Sequence, residues 1–227
     1  DPPLQQKGDS RDFVSLDEIM QCDVISLHVP WIKEGLSPTE NMFDRARLSQ
    51  LKPGQVLINA CRGEVLDNDA ALELLQQNAG FHLVLDVWDN EPNINLDLIP
   101  YTALATAHIA GHTIEGKARG TEMLYLALCQ LWYIQPTKQL SDYLPKVAPS
   151  TIQLSDYQKP WQALADLVLE VYNIEQDDQQ FRQLVDCGEQ FRYIRKHYPI
   201  RREFSAIKVN AGNFAHSKAI YDLGFLD

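Results

Sequence analysis

Asn59-Ala60-Cys61-Arg62-Gly63-Glu64, Leu85-Asp86-Val87-Trp88-Asp89-Asn90-Glu91-Pro92 and Thr106-Ala107-His108-Ile109-Ala110-Gly111 follow one another along the chain, and each closes a short apolar run of strand-like composition. In a parallel α/β sheet, the residues just past the carboxyl ends of the strands line the ligand crevice. The three segments therefore predict that Arg62, Glu91 and His108 share one edge of a sheet and converge on a small molecule. An arginine forks bidentately onto a carboxylate, an imidazole takes a hydroxyl proton, and a carboxylate beside the ring holds it and keeps its protonated form available. This set suits oxidation of a 2-hydroxy acid, although the same parts serve other reactions. Taken singly, each residue has a plainer reading: a solvated arginine, a turn glutamate before proline, a packing histidine.

Working outward, the punctuation gives the rest of the sheet. Ser15-Leu16-Asp17-Glu18 has capping-box spacing and opens a short helix. Asp23–Val29 reads as a buried strand running into His28-Val29-Pro30, and Gln55–Ala60 is the next strand. Asp67 caps a helix that stops near Gly80, His82–Val87 is a third strand, and a short one from about Ala103 to Ala107 delivers His108. Strands alternating with helices at these lengths predict a parallel, doubly wound α/β fold. From a Thr113 cap, Ala118, Met123, Leu124, Ala127, Leu128, Leu131 and Trp132 recur at helical spacing over about twenty residues.

These segments resemble the signature blocks of the NAD-dependent D-2-hydroxyacid dehydrogenases. Within that family, Asn59-Ala60-Cys61-Arg62-Gly63 together with His108-Ile109-Ala110-Gly111-His112-Thr113-Ile114-Glu115-Gly116 is similar to the erythronate-4-phosphate dehydrogenase branch, whose members serve pyridoxal phosphate synthesis. The resemblance is strong over residues 1–121 and mostly one of layout beyond. It implies a partial Rossmann-like sheet with NAD as cofactor, Arg62 holding the substrate carboxylate, His108 accepting the proton and Glu91 pairing with His108. It further implies that Asp1 faces the adenosine ribose, Asp86 lies on the nicotinamide side, Gly111 allows close approach to the ring, and His112 faces substrate where the branch often has tyrosine. Val29 stands where a cofactor-binding threonine is common. The expected reaction is oxidation of 4-phospho-D-erythronate to its 2-oxo acid. A dehydrogenase for another D-2-hydroxy acid such as phosphoglycerate, or a non-enzymatic NAD-sensing protein of the same fold, remains open.

A dinucleotide fold of this kind carries a Gly-rich turn after its first strand, followed about twenty positions later by an acidic residue. Here the chain opens at Asp1-Pro2-Pro3, which resembles that acidic position, so the sequence resembles the carboxyl-terminal part of a longer enzyme and is expected to be inactive alone. The expected organisation is an incomplete dinucleotide-binding domain over 1–112, a helix over 113–135 returning to a substrate domain, and a linker with a small α/β dimerisation domain over 136–227. That last unit is small for a self-sufficient core, so the helical stripe Trp161, Leu164 and Val168 is expected to bury itself in a homodimer.

The 227 residues are 45% hydrophobic and 22% charged, a globular composition, and no apolar run reaches bilayer length. Cys22, Cys61, Cys129 and Cys187 lack paired spacing, which points to reduced thiols in a cytoplasmic protein and neither a disulfide frame nor a metal site. Cys61 beside Arg62 reads as a small buried side chain more readily than as a nucleophile. A net charge of −11 disfavours nucleic acid as a partner. Against that balance runs Arg192–Arg202, with Arg192, Arg195, Lys196, Arg201 and Arg202 and no carboxylate, read either as a solvated face or as an anion site for a phosphorylated substrate.

Overall fold

The computed structural model describes residues 2–146, 151–154, 160–212, 214 and 216–226. In chain order the elements are α1 (Pro2–Gln6), α2 (Leu16–Ile19), β1 (Val24–Leu27), α3 (Arg45–Leu48), β2 (Val56–Asn59), α4 (Asn68–Gln76), β3 (His82–Leu85), β4 (Leu104–Ala105), α5 (Ile114–Leu131), β5 (Thr151–Gln153), α6 (Pro160–Val171), α7 (Ile174–Leu184), α8 (Gly188–Lys196), β6 (Lys208–Asn210) and α9 (Ser217–Asp222). They form two compact units. One runs to Ala110 and takes in Glu175–His197; the other holds Gly111–Ile174 and the chain from Tyr198.

The first unit is built on a four-stranded parallel sheet in the order β1-β2-β3-β4. Because all four strands run the same way, their carboxyl ends, and the loops that follow them, lie along one edge of the sheet. Local sequence explains the flanking helices: Ser15 and Glu18 complete the capping box of α2, and Asp67 accepts the Ala70 N–H to start α4. The core beneath joins Leu57, Leu83 and Leu85 of the sheet to Phe43, Leu66, Trp88 and Leu98. Phe181 and Phe191, from α7 and α8, belong to this same core; Phe181 lies 5.6 Å from the Trp88 ring and 6.0 Å from Phe191. Residues 175–197 lie within the 136–227 stretch that the sequence groups as linker and carboxyl-terminal unit, yet they pack with the first core. Helical spacing marks residues 175–197 as amphipathic but carries no information about which core they fill, and they fill the first.

The second unit pairs β5 with β6 in parallel and packs Leu164, Leu167, Ile207, Val209, Ile220 and Phe225 into a separate core. Leu164 is therefore internal, not available to an interface, while Trp161 stays 74% exposed. Phe204–Ala206 form a single 3-10 turn, and pairing in β6 starts at Lys208. Thr113 caps α5 as expected, accepting from Gly116 N–H at 2.9 Å. The apolar stripe of that helix stays largely exposed, Met123 and Leu131 included. No helix among the described residues is long and apolar enough to cross a membrane.

Two contacts fix local geometry strongly enough to test. Gly63, in the loop after β2, lies so near the loop after β3 that a Cβ there would overlap the Trp88 carbonyl and the Asp89 nitrogen, both main-chain atoms unable to swing aside. Gly63→Ala should cost about 3 kcal/mol or more, as overpacking against rigid neighbours does; a chemical-denaturation midpoint matching wild type would refute the close approach. In the second unit, Arg202 Nε meets the Glu115 carboxylate at 2.5 Å with the two side chains only 15% and 5% exposed. Arg202→Ala leaves that carboxylate buried and unpaired and should destabilise by about 3 kcal/mol, whereas pairing it with Glu115→Gln should recover part of the loss in the same denaturation measurement.

Candidate active site

Arg62, Glu91 and His108 all fall in the first unit, on the loops that follow β2, β3 and β4. Asn59, fully buried at the end of β2, folds the first of these: its Nδ2 donates to the Arg62 carbonyl at 2.9 Å and its Oδ1 accepts the Cys61 N–H at 3.2 Å. The turn leaves the Arg62 side chain exposed, with Nη1 donating to the Cys61 carbonyl. Its other guanidinium donors have no hydrogen-bond partner among the described residues and are the fork that a carboxylate needs. The Cys61 thiol lies 3.1 Å from Asn59 Oδ1 and is part-buried, a small packing group as the sequence reading favoured.

Beyond β3, the Trp88 N–H donates to Glu91 Oε1 at 2.9 Å, and Glu91 Oε2 lies 2.8 Å from His108 Nδ1. One carboxylate thus has one oxygen fixed by main chain and the other committed to the imidazole. Facing an ionised carboxylate, Nδ1 carries the proton and donates, which makes Nε2 the ring's acceptor. His108 and Glu91 are 23% and 21% exposed, dry enough for directional bonding and open enough to meet a ligand.

His108 has a φ of 55°, a left-handed conformation that is costly for a residue with a side chain. Asp86 holds it there. Its main-chain carbonyl accepts the His108 N–H at 2.7 Å, and its buried carboxylate accepts from Thr106 Oγ1 at 2.6 Å, Ile109 N–H at 2.7 Å and Ala110 N–H at 2.9 Å. Trp88 Nε1 donates to the Thr106 carbonyl at 2.9 Å from the same side. These donors occupy most of the Asp86 lone pairs, so the role visible in its geometry is to shape the loop that presents His108.

Gly111 and His112 belong to the second unit. Gly111 has a φ of 72°, and its carbonyl sits where a side chain on Gly116 would be, 2.6 Å from the Cβ position. His112 stacks on Tyr198 with ring centroids 5.7 Å apart. Asp1 lies outside the described residues. The cationic run is divided between the two units. Arg195 closes on the His108 carbonyl, Arg202 on Glu115 and the Pro145 carbonyl, and Arg201 lies over the rings of Tyr172 and Tyr198. Asn59, Asp178 and Arg182 are site-shaping residues to which pattern alone gave no role, with the i,i+4 spacing of Asp178 and Arg182 as their one local signal; Arg195, read from the sequence only as part of the cationic run, joins them through the His108 carbonyl.

A cavity of about 790 Å³ in the first unit begins at Val29 and Pro30, directly past β1, and is walled mainly by apolar side chains such as Phe13, Leu16 and Ile32 with Thr39 and Asn41 among the polar groups. Its place at the carboxyl edge of the sheet, its size and its lining fit a nucleoside-containing cofactor. His28, beside it, is turned to Ser26 Oγ at 2.8 Å.

Residues 2–110 match the family described as D-isomer specific 2-hydroxyacid dehydrogenase, NAD binding domain, and residues 143–224 match a domain of unknown function. The chain is 56% identical over 225 residues to an erythronate-4-phosphate dehydrogenase of Pseudoalteromonas atlantica, covering 99% of this chain and 60% of that protein. Against the enzyme of the same name from Colwellia psychrerythraea the identity is 46% over 218 residues, covering 96% and 55%. Among solved structures, a D-lactate dehydrogenase of Aquifex aeolicus with NAD and lactic acid is 30% identical over 57% of this chain and 43% of that one, with a TM-score of 0.44. The chain spans about 60% of the length of the first of these relatives. Over nearly its whole length the chain is similar to erythronate-4-phosphate dehydrogenases, and its residues 2–110 carry the match to the NAD binding domain of the D-isomer specific 2-hydroxyacid dehydrogenases.

Proposed function

We propose that this protein oxidises 4-phospho-D-erythronate to the corresponding 2-oxo acid with NAD, in the pathway to pyridoxal phosphate. The observation that carries the reading is the 2.8 Å contact of His108 Nδ1 with a glutamate whose other oxygen is pinned by main chain, on a loop that neighbours Arg62 through adjoining strands. Identity with enzymes of that name across nearly the whole chain supports the choice of substrate.

The chain's own residues divide the work. Arg62 holds the substrate carboxylate through two parallel hydrogen bonds and so orients C2 and its hydroxyl. His108 Nε2 takes the hydroxyl proton as the C2–H bond breaks, and the positive ring that results sits against the Glu91 carboxylate. Bound NAD supplies the hydride acceptor. Among the residues of this chain, the apolar walls around Val29, Pro30 and Ile32 fit its nucleoside portion.

A cytoplasmic setting accords with four free thiols. Self-association through the carboxyl-terminal unit is part of the same proposal, supported by Trp161 and Leu169, which remain 74% and 46% exposed on α6 after Leu164 and Leu167 have entered the core.

In the full-length enzyme, His108→Ala should lower kcat by a factor on the order of 10² to 10⁴, the usual contribution of a positioned base. Arg62→Lys should raise KM for the hydroxy acid while NAD affinity measured by calorimetry stays as it was, because an ammonium cannot form the paired bonds. Near-normal turnover in the first variant, or loss of NAD affinity in the second, contradicts the roles given. For self-association, Trp161→Glu with Leu169→Glu should convert dimers to monomers in light scattering; an unchanged mass rejects this face.

A further inference from the structure

Strand β4 is the edge of its sheet and delivers His108 three residues after its last member, Ala105. An edge strand of two residues has little ladder to hold it. What takes the place of a further strand is a pair of side chains on α7. Asp178 Oδ1 accepts the Ala105 N–H at 2.6 Å. Arg182 Nε grips both Asp178 oxygens at 2.9 and 2.8 Å, its Nη1 donates to the Ile99 carbonyl at 2.6 Å, and its Nη2 reaches the Thr102 carbonyl and hydroxyl, each at 3.0 Å. The pair is only 13% and 28% exposed, so these charge-assisted bonds are made largely out of water. A single ion pair thereby fixes the segment leading into β4 at three residues.

The next helix acts on the loop that follows β4. Arg195, in the last turn of α8, donates from Nε to the His108 carbonyl at 3.1 Å. A residue held at positive φ persists only where its surroundings over-determine it, and this bond fixes the carbonyl that the left-handed turn aims outward. Both helices are tied to the site's own framework. Phe181 of α7 packs on Trp88, the residue whose N–H holds Glu91, and Phe191 of α8 packs on Phe181.

We propose that α7 and α8 form a brace for the His108 loop, with Asp178, Arg182 and Arg195 as positioning residues that set the imidazole's place without touching substrate. Their catalytic consequence rests on His108 being the proton acceptor. The brace itself does not.

The test uses the full-length enzyme with Arg195→Ala, Arg195→Lys and Asp178→Asn. Arg195→Ala and Asp178→Asn should lower kcat by about ten- to a hundredfold, the scale of a small misplacement of a catalytic group, with KM for the hydroxy acid and NAD affinity unchanged. Arg195→Lys, which keeps a cationic donor, should recover most of the loss. Independently of any turnover, hydrogen exchange at the Ile109 and Ala110 amides, which the same loop turns onto Asp86, should quicken in Arg195→Ala. Unchanged kcat in both Arg195→Ala and Asp178→Asn overturns the proposal, as does a parallel decline of kcat, KM and melting temperature that marks a merely structural role. If the wild-type enzyme oxidises no 2-hydroxy acid, the functional reading falls, and exchange alone judges the brace: faster exchange in Arg195→Ala upholds it and unchanged exchange rejects it.

Discussion

The Asp86 carboxylate, buried at the end of β3, is the interaction on which the site's geometry depends. A carboxylate withdrawn from water is costly unless donors replace its hydration, and here three do, two of them successive main-chain amides from the loop after β4. Because the donors come from a different strand, satisfying Asp86 fixes one loop against another. The same logic propagates across the sheet. Asn59 ties its own carbonyl to the Asp86 N–H, while its side chain folds the Arg62 turn. Gly63 lets that turn touch Trp88, and Trp88 in turn holds Glu91 and the Thr106 carbonyl. The loops after β2, β3 and β4 are one hydrogen-bonded body, and the rigid sheet beneath sets its dimensions.

How much of this can be read from the sequence follows from which forces act locally. Strand ends, caps and turns depend on neighbours a few residues away, so Asp67, Ser15 and Thr113 announce their helices, and the three loop motifs announce the Arg, Glu and His. Association of distant segments is another matter. Phe181 and Phe191 are buried in the first core, and nothing in local sequence chooses Trp88 as the surface that buries them. The stripe Trp161, Leu164 and Val168 illustrates the converse: helical spacing places the three on one side, yet Leu164 is in the core and Trp161 is not, because a shift of a few tens of degrees about the helix axis decides which apolar residue is internal. The side-chain clamp on β4 was hidden for a related reason. Asp178 and Arg182 look like an ordinary surface pair until the carbonyls of Ile99 and Thr102 come within reach.

A chain of net charge −11 uses its scarce cations selectively. Arg182, Arg195 and Arg202 each donate to main-chain carbonyls, at Ile99 and Thr102, at His108, and at Pro145. At Arg182 and Arg202 guanidinium suits this because its five donors lie in one rigid plane and serve a carboxylate and a carbonyl together, which the single ammonium of lysine does poorly. The run from Arg192 to Arg202 is contiguous in sequence but divided between the two units. α8 ends at Lys196, and the residues on either side of that end enter different units and different networks. Charge density along a sequence becomes charge density in space only when the backbone keeps those residues on one face.

The two groups to which the proposed reaction gives the substrate are held very differently, and the chemistry proposed for them explains the difference. His108 is constrained at its N–H, its carbonyl, its ring and its flanking amides, in a conformation that costs free energy to maintain. Arg62 makes one side-chain hydrogen bond among the described residues, to the carbonyl of its neighbour, and is otherwise exposed. Proton transfer requires Nε2 within hydrogen-bond reach of one particular oxygen, and an error of an ångström there is felt directly in the rate. A guanidinium meeting a carboxylate has a planar fork on both partners, so the bidentate geometry aligns them as they meet and less must be fixed in advance. Left-handed backbone at His108 accordingly coincides with the proposed base, where precise placement would govern the barrier, while the proposed carboxylate-binding Arg62 is left exposed with a single side-chain hydrogen bond among the described residues.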